Sequence, residues 1–307
     1  YWRIPHFEKM LYDNALLAVA YIETYQVTKN PFFSRVAKEI LDYVTRDMTN
    51  NDGAFYSATD ADSIGPSGHQ EEGYFFTWNL DELKECLSVK EIKFVMTHYG
   101  VNKQGNFENN RTILNVGHKR KLSVAEVKIR ETIKHKLYQE RKRRPSPLRD
   151  EKILTSWNGL MISAFSKVGF ILNNENYIAK AEKAAKFVWE KLQRNNRLFR
   201  TYKGSKENGQ AKFNGYLDDY AFIIASYLDL YQATSNKVWL QRAIKLDNTL
   251  EVFFEDKKLG GYYMTSHDHE KLLAREKPAY DGAEPSGNSI QALNLLRLNK
   301  FTTKAHY

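Results

Sequence analysis

One cysteine, Cys86, stands in a chain of 307 residues. A lone thiol excludes an internal disulfide framework, a CxxC redox pair and a cysteine-rich zinc site. Long apolar runs are missing too. The longest, Ala15–Ile22, falls far short of the ~18 residues that a membrane-spanning helix needs. No signal-peptide pattern opens the chain, which starts at Tyr1, so any targeting segment is expected upstream. Nor does a Pro-, Gly- or Ser-rich stretch mark a linker. Length divided by ~150 residues per domain suggests two domains. Without a linker, the reading adopted is one domain over residues 1–307. With 42% hydrophobic and 27% charged residues, the expectation is a globular chain of a reducing compartment, the cytoplasm, with ample length for a core.

Charge is plentiful but uneven. The net charge is +9, from 46 Lys and Arg against 37 Asp and Glu. Thirteen of the basic residues and only five acidic ones lie between His118 and Lys152, so that segment holds nearly all the excess. A nucleic-acid binder could use it as an electrostatic footprint. However, Leu122, Ile129, Ile133 and Leu137 space out one apolar helical face, and Ser123 with Glu126 reads as a capping box. The preferred reading is an amphipathic helix with a solvated face, followed by the basic loop Arg141–Arg144. Nucleic acid ranks last among the partners, and no membrane partner is expected.

The dominant pattern is a repeat. Leu11-Tyr-Asp-Asn-Ala-Leu16 opens a helix that turns at Lys29-Asn-Pro31; a second helix runs to about Met48 and ends in Asn51-Asp-Gly-Ala-Phe-Tyr56. Ser156-Trp-Asn-Gly-Leu-Met161 opens a similar unit, with a turn at Asn173–Asn176 and a close at Asn196–Phe199. Leu217-Asp-Asp-Tyr-Ala-Phe222 opens a third, turning at Ser235-Asn-Lys237 and closing at Gly260–Tyr263. Ser286-Gly-Asn-Ser-Ile-Gln291 begins another, which reaches the end of the chain. Helices over 79–99 and 123–143 supply one more pair. The first helix of each repeat is apolar nearly all round and the second is amphipathic. An inner ring of buried helices and an outer ring of amphipathic ones is the expectation: an all-α toroid of helical hairpins, incomplete here, with short β-strands in its loops.

Chemistry-bearing residues gather at the starts of the inner helices, the segments that would surround a central funnel. His6, Glu8, Lys9 and Asp13 precede or open the first, Asp150, Lys152, Trp157 and Asn158 the second, and Asp218 and Asp219 the third. Asp281, Glu284 and Asn288 precede or open the last, while Asp60, Asp62 and Glu72 sit in the loop between the first pairs. Asp, Ser and Asn at helix starts are ordinary caps, and each taken singly has that explanation. Together, carboxylates, a His, a Lys and an indole directed at one mouth exceed what capping requires. Paired carboxylates can divide acid and base roles, and an indole offers a stacking face to a sugar ring. His267-Asp-His269 has the spacing of a metal pair but reads as an exposed turn. Gly65-Pro-Ser-Gly68 lacks the context of a phosphate loop. No metal and no cofactor are expected.

The strings Trp2–Ala15 (WRIPHFEKMLYDNA), Phe55–Ser63 (FYSATDADS), Lys152–Met161 (KILTSWNGLM) and Asp281–Ser289 (DGAEPSGNS) resemble one family. It is the thioredoxin-domain-containing family of spermatogenesis-associated protein 20 and its bacterial relatives, and the resemblance runs over essentially the whole chain. It implies an (α/α)6 barrel of the six-hairpin glycosidase-like type, similar to N-acylglucosamine 2-epimerases. A thioredoxin-like domain is expected before Tyr1 and the remaining hairpins after Tyr307. With Cys86 alone, no redox activity transfers to this chain. The resemblance carries over the sixteen residues above as funnel lining. Of these, His6, Asp13, Asp62 and Asp219 are the candidates for proton transfer and acid/base work, Trp157 is a stacking platform, and the others bind substrate. Three functions are weighed: a sugar-active barrel (epimerase, isomerase or glycoside hydrolase), a non-catalytic module that binds a protein client for the attached thioredoxin-like domain, and a basic nucleic-acid binder.

Overall fold

The computed structural model describes residues 4–116, 122–204, 208–270, 273–305 and 307. Trp2 and Arg3 of the first motif, and Lys119–Lys121 at the start of the basic segment, lie outside them. Among the described residues are ten α-helices: α1 (Leu11–Thr28), α2 (Pro31–Asp47), α3 (Leu80–Cys86), α4 (Val89–Tyr99), α5 (Val124–Arg141), α6 (Thr155–Ile171), α7 (Glu175–Lys191), α8 (Leu217–Thr234), α9 (Lys237–Phe253) and α10 (Gly287–Thr302). They fall into two compact units. The smaller holds the chain up to Lys9 with Thr59–Arg149; the larger holds Met10–Ala58 with Asp150–Tyr307.

In the larger unit, α1, α6, α8 and α10 pack side by side in that order, and α2, α7 and α9 each back the inner helix that precedes them. The hairpins share one turn chemistry. Lys29, Asn173 and Ser235 take the left-handed conformation, with φ of 56°, 50° and 56°. An asparagine follows each, Asn30, Asn174 and Asn236, and accepts a backbone N–H of the outer helix it opens. This supplies the two things a tight helix–helix turn requires: a residue that reverses the chain and a cap for the orphaned amides. α6 and α8 are buried along most of their length, whereas the outer helices bury one stripe. Gly159 lets these two inner helices approach, since a Cβ there would lie 2.7 Å from the Phe222 carbonyl carbon. The core runs through Phe55, stacked on Phe165 with centroids 5.3 Å apart, to Tyr227 and Trp239.

The strands are short. Arg197–Lys203 pairs antiparallel with Ile153–Leu154 and with Gln210–Asn214, placing Ile153 opposite Tyr202 and Phe199 opposite Asn214. The other expected closing strands are single bridges, Thr49 to Phe55 and Glu255 to Tyr262.

The smaller unit departs from the expected hairpin. The helix expected over 79–99 breaks between α3 and α4, because Ser88 starts a fresh capping box with Glu91. With α5, these helices enclose a separate core of Trp78, Leu83, Phe94, Val95 and Ile133. Ser123 and Glu126 form the expected box at the start of α5. The basic loop after α5 is not a solvated face throughout. The Arg144 side chain is 9% exposed, donates to the carbonyls of Tyr74 (2.9 Å) and Thr77 (2.7 Å), bonds Glu82 at 3.1 Å, and lies 3.9 Å from the Trp78 ring centre.

Candidate functional site

Two of the four inner helices, α1 and α6, start without the polar side-chain caps found on the outer ones, whereas Ser286 caps α10. Met10 before α1 and Leu154 before α6 give no side-chain cap. Their free N–H groups carry partial positive charge, which favours acids nearby. Asp219, fully buried in the first turn of α8, answers this across two helices. Its Oδ1 accepts the Ser156 N–H of α6 at 2.9 Å, its Oδ2 accepts the Tyr216 N–H at 2.8 Å, and Arg200 lies 3.4 Å from Oδ2. Burial nevertheless pushes its carboxyl up to about 6, with Arg200 and the two amides opposing.

Beside it, Asp218 is partly buried and its Oδ1 is enclosed without a hydrogen-bond partner. Gly287, at the start of α10, makes room for that oxygen, since a Cβ there would come within 2.4 Å of it. Burial raises the Asp218 carboxyl above the usual range, against the Gly287 backbone and the charge of Arg200. Glu284 accepts the Trp157 indole N–H at 2.9 Å. Burial raises its carboxyl; Asp218 and Asp13 add to this, while Trp157 and Arg200 oppose it. Trp157 sits 5.0 Å from the Tyr12 ring centre. The structure thus brings Asp13, Trp157, Asp218 and Glu284 together from four helix starts, with Asp219 buried behind them. Arg200 and Tyr12 complete the group and were not singled out from sequence. Arg200 lies in a strand that reads as ordinary, and only its pairing with Ile153–Leu154 carries it to the helix starts.

Other sequence candidates in the larger unit hold the scaffold. Asn158 is fully buried; its amide accepts the Phe55 N–H (2.9 Å) and donates to the carbonyls of Phe55 (3.0 Å) and Leu154 (2.9 Å). Asn288 does the same at Tyr262, accepting its N–H at 2.8 Å and donating to its carbonyl at 2.9 Å and to Pro278 at 2.8 Å. Each asparagine therefore clamps the aromatic segment that closes the preceding hairpin. Asp281 braces the cap of α10, accepting the Ser286 N–H and the Ser289 hydroxyl, which hold its carboxyl low. Lys152 pairs with Asp150 at 3.1 Å.

The remaining candidates belong to the smaller unit. His6 and Glu8 are exposed, and His6 Nδ1 accepts the Glu8 N–H at 3.3 Å. Asp60 accepts the Asp62 N–H at 3.2 Å, and Asp62 faces Glu72 across the antiparallel pair Asp62–Ile64 and Gln70–Glu72. Lys9 lies 4.4 Å from the Phe76 ring centre. Among the described residues no group of three His, Cys, Asp or Glu could hold a metal ion. In the larger unit, His267-Asp-His269 is engaged elsewhere: Asp268 binds Arg197 at 2.8 Å and His267 stacks on Phe253. Cys86 is partly buried, with its thiol pushed up by burial and by Glu140. Among the described residues no helix is long and apolar enough to cross a membrane.

This geometry can be set beside known proteins. The chain is similar to spermatogenesis-associated protein 20. It is 37% identical to the human and mouse proteins over 335 aligned positions that include 98% of this chain. An uncharacterized protein of Caenorhabditis elegans, B0495.5, is 33% identical over the full chain. The chain spans less than half the length of these relatives: 43% of the human protein, 42% of the mouse protein and 46% of the nematode one. No family model matches it. Among solved structures, an unsaturated glucuronyl hydrolase from Bacillus sp. GL1 aligns with a TM-score of 0.54 at 13% identity, over 96% of this chain and 60% of the hydrolase. An unsaturated glucuronyl hydrolase specific for heparin aligns with a TM-score of 0.55 at 11% identity, over 99% of this chain and 63% of that one. The fold is of the α/α toroid, glycosidase-like class.

Proposed function

We propose that the inner-helix starts of the larger unit form a sugar-binding acid/base site. The observation that carries this reading is the half-buried pair Asp218 and Glu284, held against Trp157 where α6, α8 and α10 begin. Burial that raises a carboxyl above its ordinary range favours the protonated form, which suits a group that gives a proton to a substrate oxygen or carbon. Glu284 serves as the proton donor, Asp218 as its partner carboxylate, and Trp157 both orients Glu284 and gives a stacking face. Asp13 binds a hydroxyl. Arg200 and Asp219 position the helix starts. The fold is shared with proteins named as unsaturated glucuronyl hydrolases, which supports a carbohydrate as ligand.

Charge narrows the ligand. With Glu284 protonated as the donor, the carboxylates of Asp13 and Asp218 still outnumber Arg200, whose guanidinium is already engaged with the buried Asp219. Like charges repel across a low-dielectric mouth, so neutral sugars should bind better than uronic acids.

The test is a thermal-shift screen of the protein against neutral hexoses, N-acylated amino sugars, uronic acids and short oligosaccharides. A ligand at ~100 times its dissociation constant adds ~2.7 kcal/mol of stability. The expected result is a shift with a neutral sugar that Trp157→Ala and Glu284→Gln remove while the variants still unfold cooperatively. A blank screen with millimolar ligand overturns the reading in favour of a client-binding module.

A further inference from the structure

The larger unit holds an apolar cavity of about 380 Å³ beneath the acid site. Its wall comes from the four inner helices: Leu16 and Val19 of α1, Leu160 of α6, Phe222 of α8, and Ile290 and Leu293 of α10. Residue spacing ties the cavity to the site. Leu16 and Leu160 stand three residues after Asp13 and Trp157, and Phe222 stands four after Asp218, so each lies on the same helix face one turn deeper. Pro285, which directly follows Glu284, also borders the cavity. At the far end the charges are matched within the protein: Asp229 pairs with Arg297 at 2.6 Å and Lys167 with Glu23 at 2.8 Å. The cavity thus offers carbon on its sides and paired charges at its floor.

We infer that the site takes a glycoside whose aglycone is an uncharged alkyl or aryl group seated in this cavity. The inference rests on the sugar reading and extends it to the other half of the ligand. The sugar ring stacks on Trp157 and meets the acids at the helix starts, while the aglycone runs down between the inner helices. Glu284, beside Pro285, stands at the junction of the two compartments. Size and lining agree with a ligand pocket, for such cavities measure ~300–1,000 Å³ and are mostly apolar with a few polar groups that fix orientation. Seating a hydrocarbon tail there removes apolar surface from water, a gain that grows with each methylene. A charged aglycone would lose its hydration and find the ions of the floor already paired, so the uncharged class is favoured.

The test is isothermal titration calorimetry with paired methyl and hexyl glycosides of glucose, galactose and mannose, each below its micelle-forming concentration. For the sugar that binds, the hexyl glycoside is expected to bind ~10-fold or more tightly than the methyl one. Leu293 lines the cavity and is 55% exposed, so Leu293→Asp should leave the fold intact while bringing hexyl affinity down to that of methyl. Leu296→Asp, on the same helix but outside the wall, should leave the preference in place. Trp157→Ala should weaken both members of the pair together. Equal affinity for methyl and hexyl glycosides overturns the inference and leaves the sugar reading standing, as does a hexyl preference that survives Leu293→Asp. If none of the glycosides binds, the sugar reading falls and this inference with it.

Discussion

Asp219 has no exposed surface, yet two backbone N–H groups and a guanidinium converge on it. Removing it strands the Ser156 and Tyr216 amides and leaves Arg200 without its partner. Asp219→Ala should therefore cost about 3–5 kcal/mol by urea denaturation. Its titration gives a second signature. The folded carboxyl is raised to about 6 from an ordinary 3.8, so its contribution to stability is complete below pH ~4 and is lost as pH rises through 6. The loss is on the order of 3 kcal/mol, and Asp219→Asn should flatten the stability profile across that window. Sequence located this residue at a helix start and left capping and chemistry open. Its role was not legible because the N–H it accepts from Ser156 lies 63 residues away. Asn158 was legible only as polar for the same reason: its partner Phe55 is 103 residues distant.

At the scale of elements, the hairpins were legible because their determinants are local. An extended or helical residue cannot reverse the chain in so few positions, so Lys29, Asn173 and Ser235 go left-handed and the asparagine after each caps the next helix. The break between α3 and α4 was written just as locally, in Ser88 and Glu91, the same signal that marked the start of α5. Apolar spacing that continues across the break masked it. Packing between elements is another matter. Gly159 reads as an ordinary helix glycine, although α8 passes so close that any Cβ meets the Phe222 backbone at 2.7 Å. Helix propensity alone would make Gly159→Ala stabilising by nearly 1 kcal/mol. The contact reverses the sign: the substitution should destabilise by about 1–3 kcal/mol in thermal or urea unfolding.

On the scale of the molecule, two hydrophobic clusters sort the chain into its two units, one around α6 and α8 and one around Trp78 and Leu83. Arg144 binds the second from within, through carbonyls of the 74–77 segment and Glu82. Arg144→Ala should lower amide-exchange protection in α3 and α5 by at least tenfold, the equivalent of ~1.4 kcal/mol, while α6 and α8 keep theirs. A uniform loss across all helices would mean that the two clusters unfold as one. The sequence by itself determined the helical class, the hairpin repeat, the buried and amphipathic helices and the gathering of acids at the inner helix starts. Periodicity, caps and turns are set by neighbours a few residues apart. Tertiary structure alone decided which acids meet at the inner helix starts and which asparagines clamp the scaffold, and it added Arg200 and set a phenyl cluster around Lys9. Those outcomes depend on desolvation and on partners distant in sequence, which exist only once the chain has closed on itself.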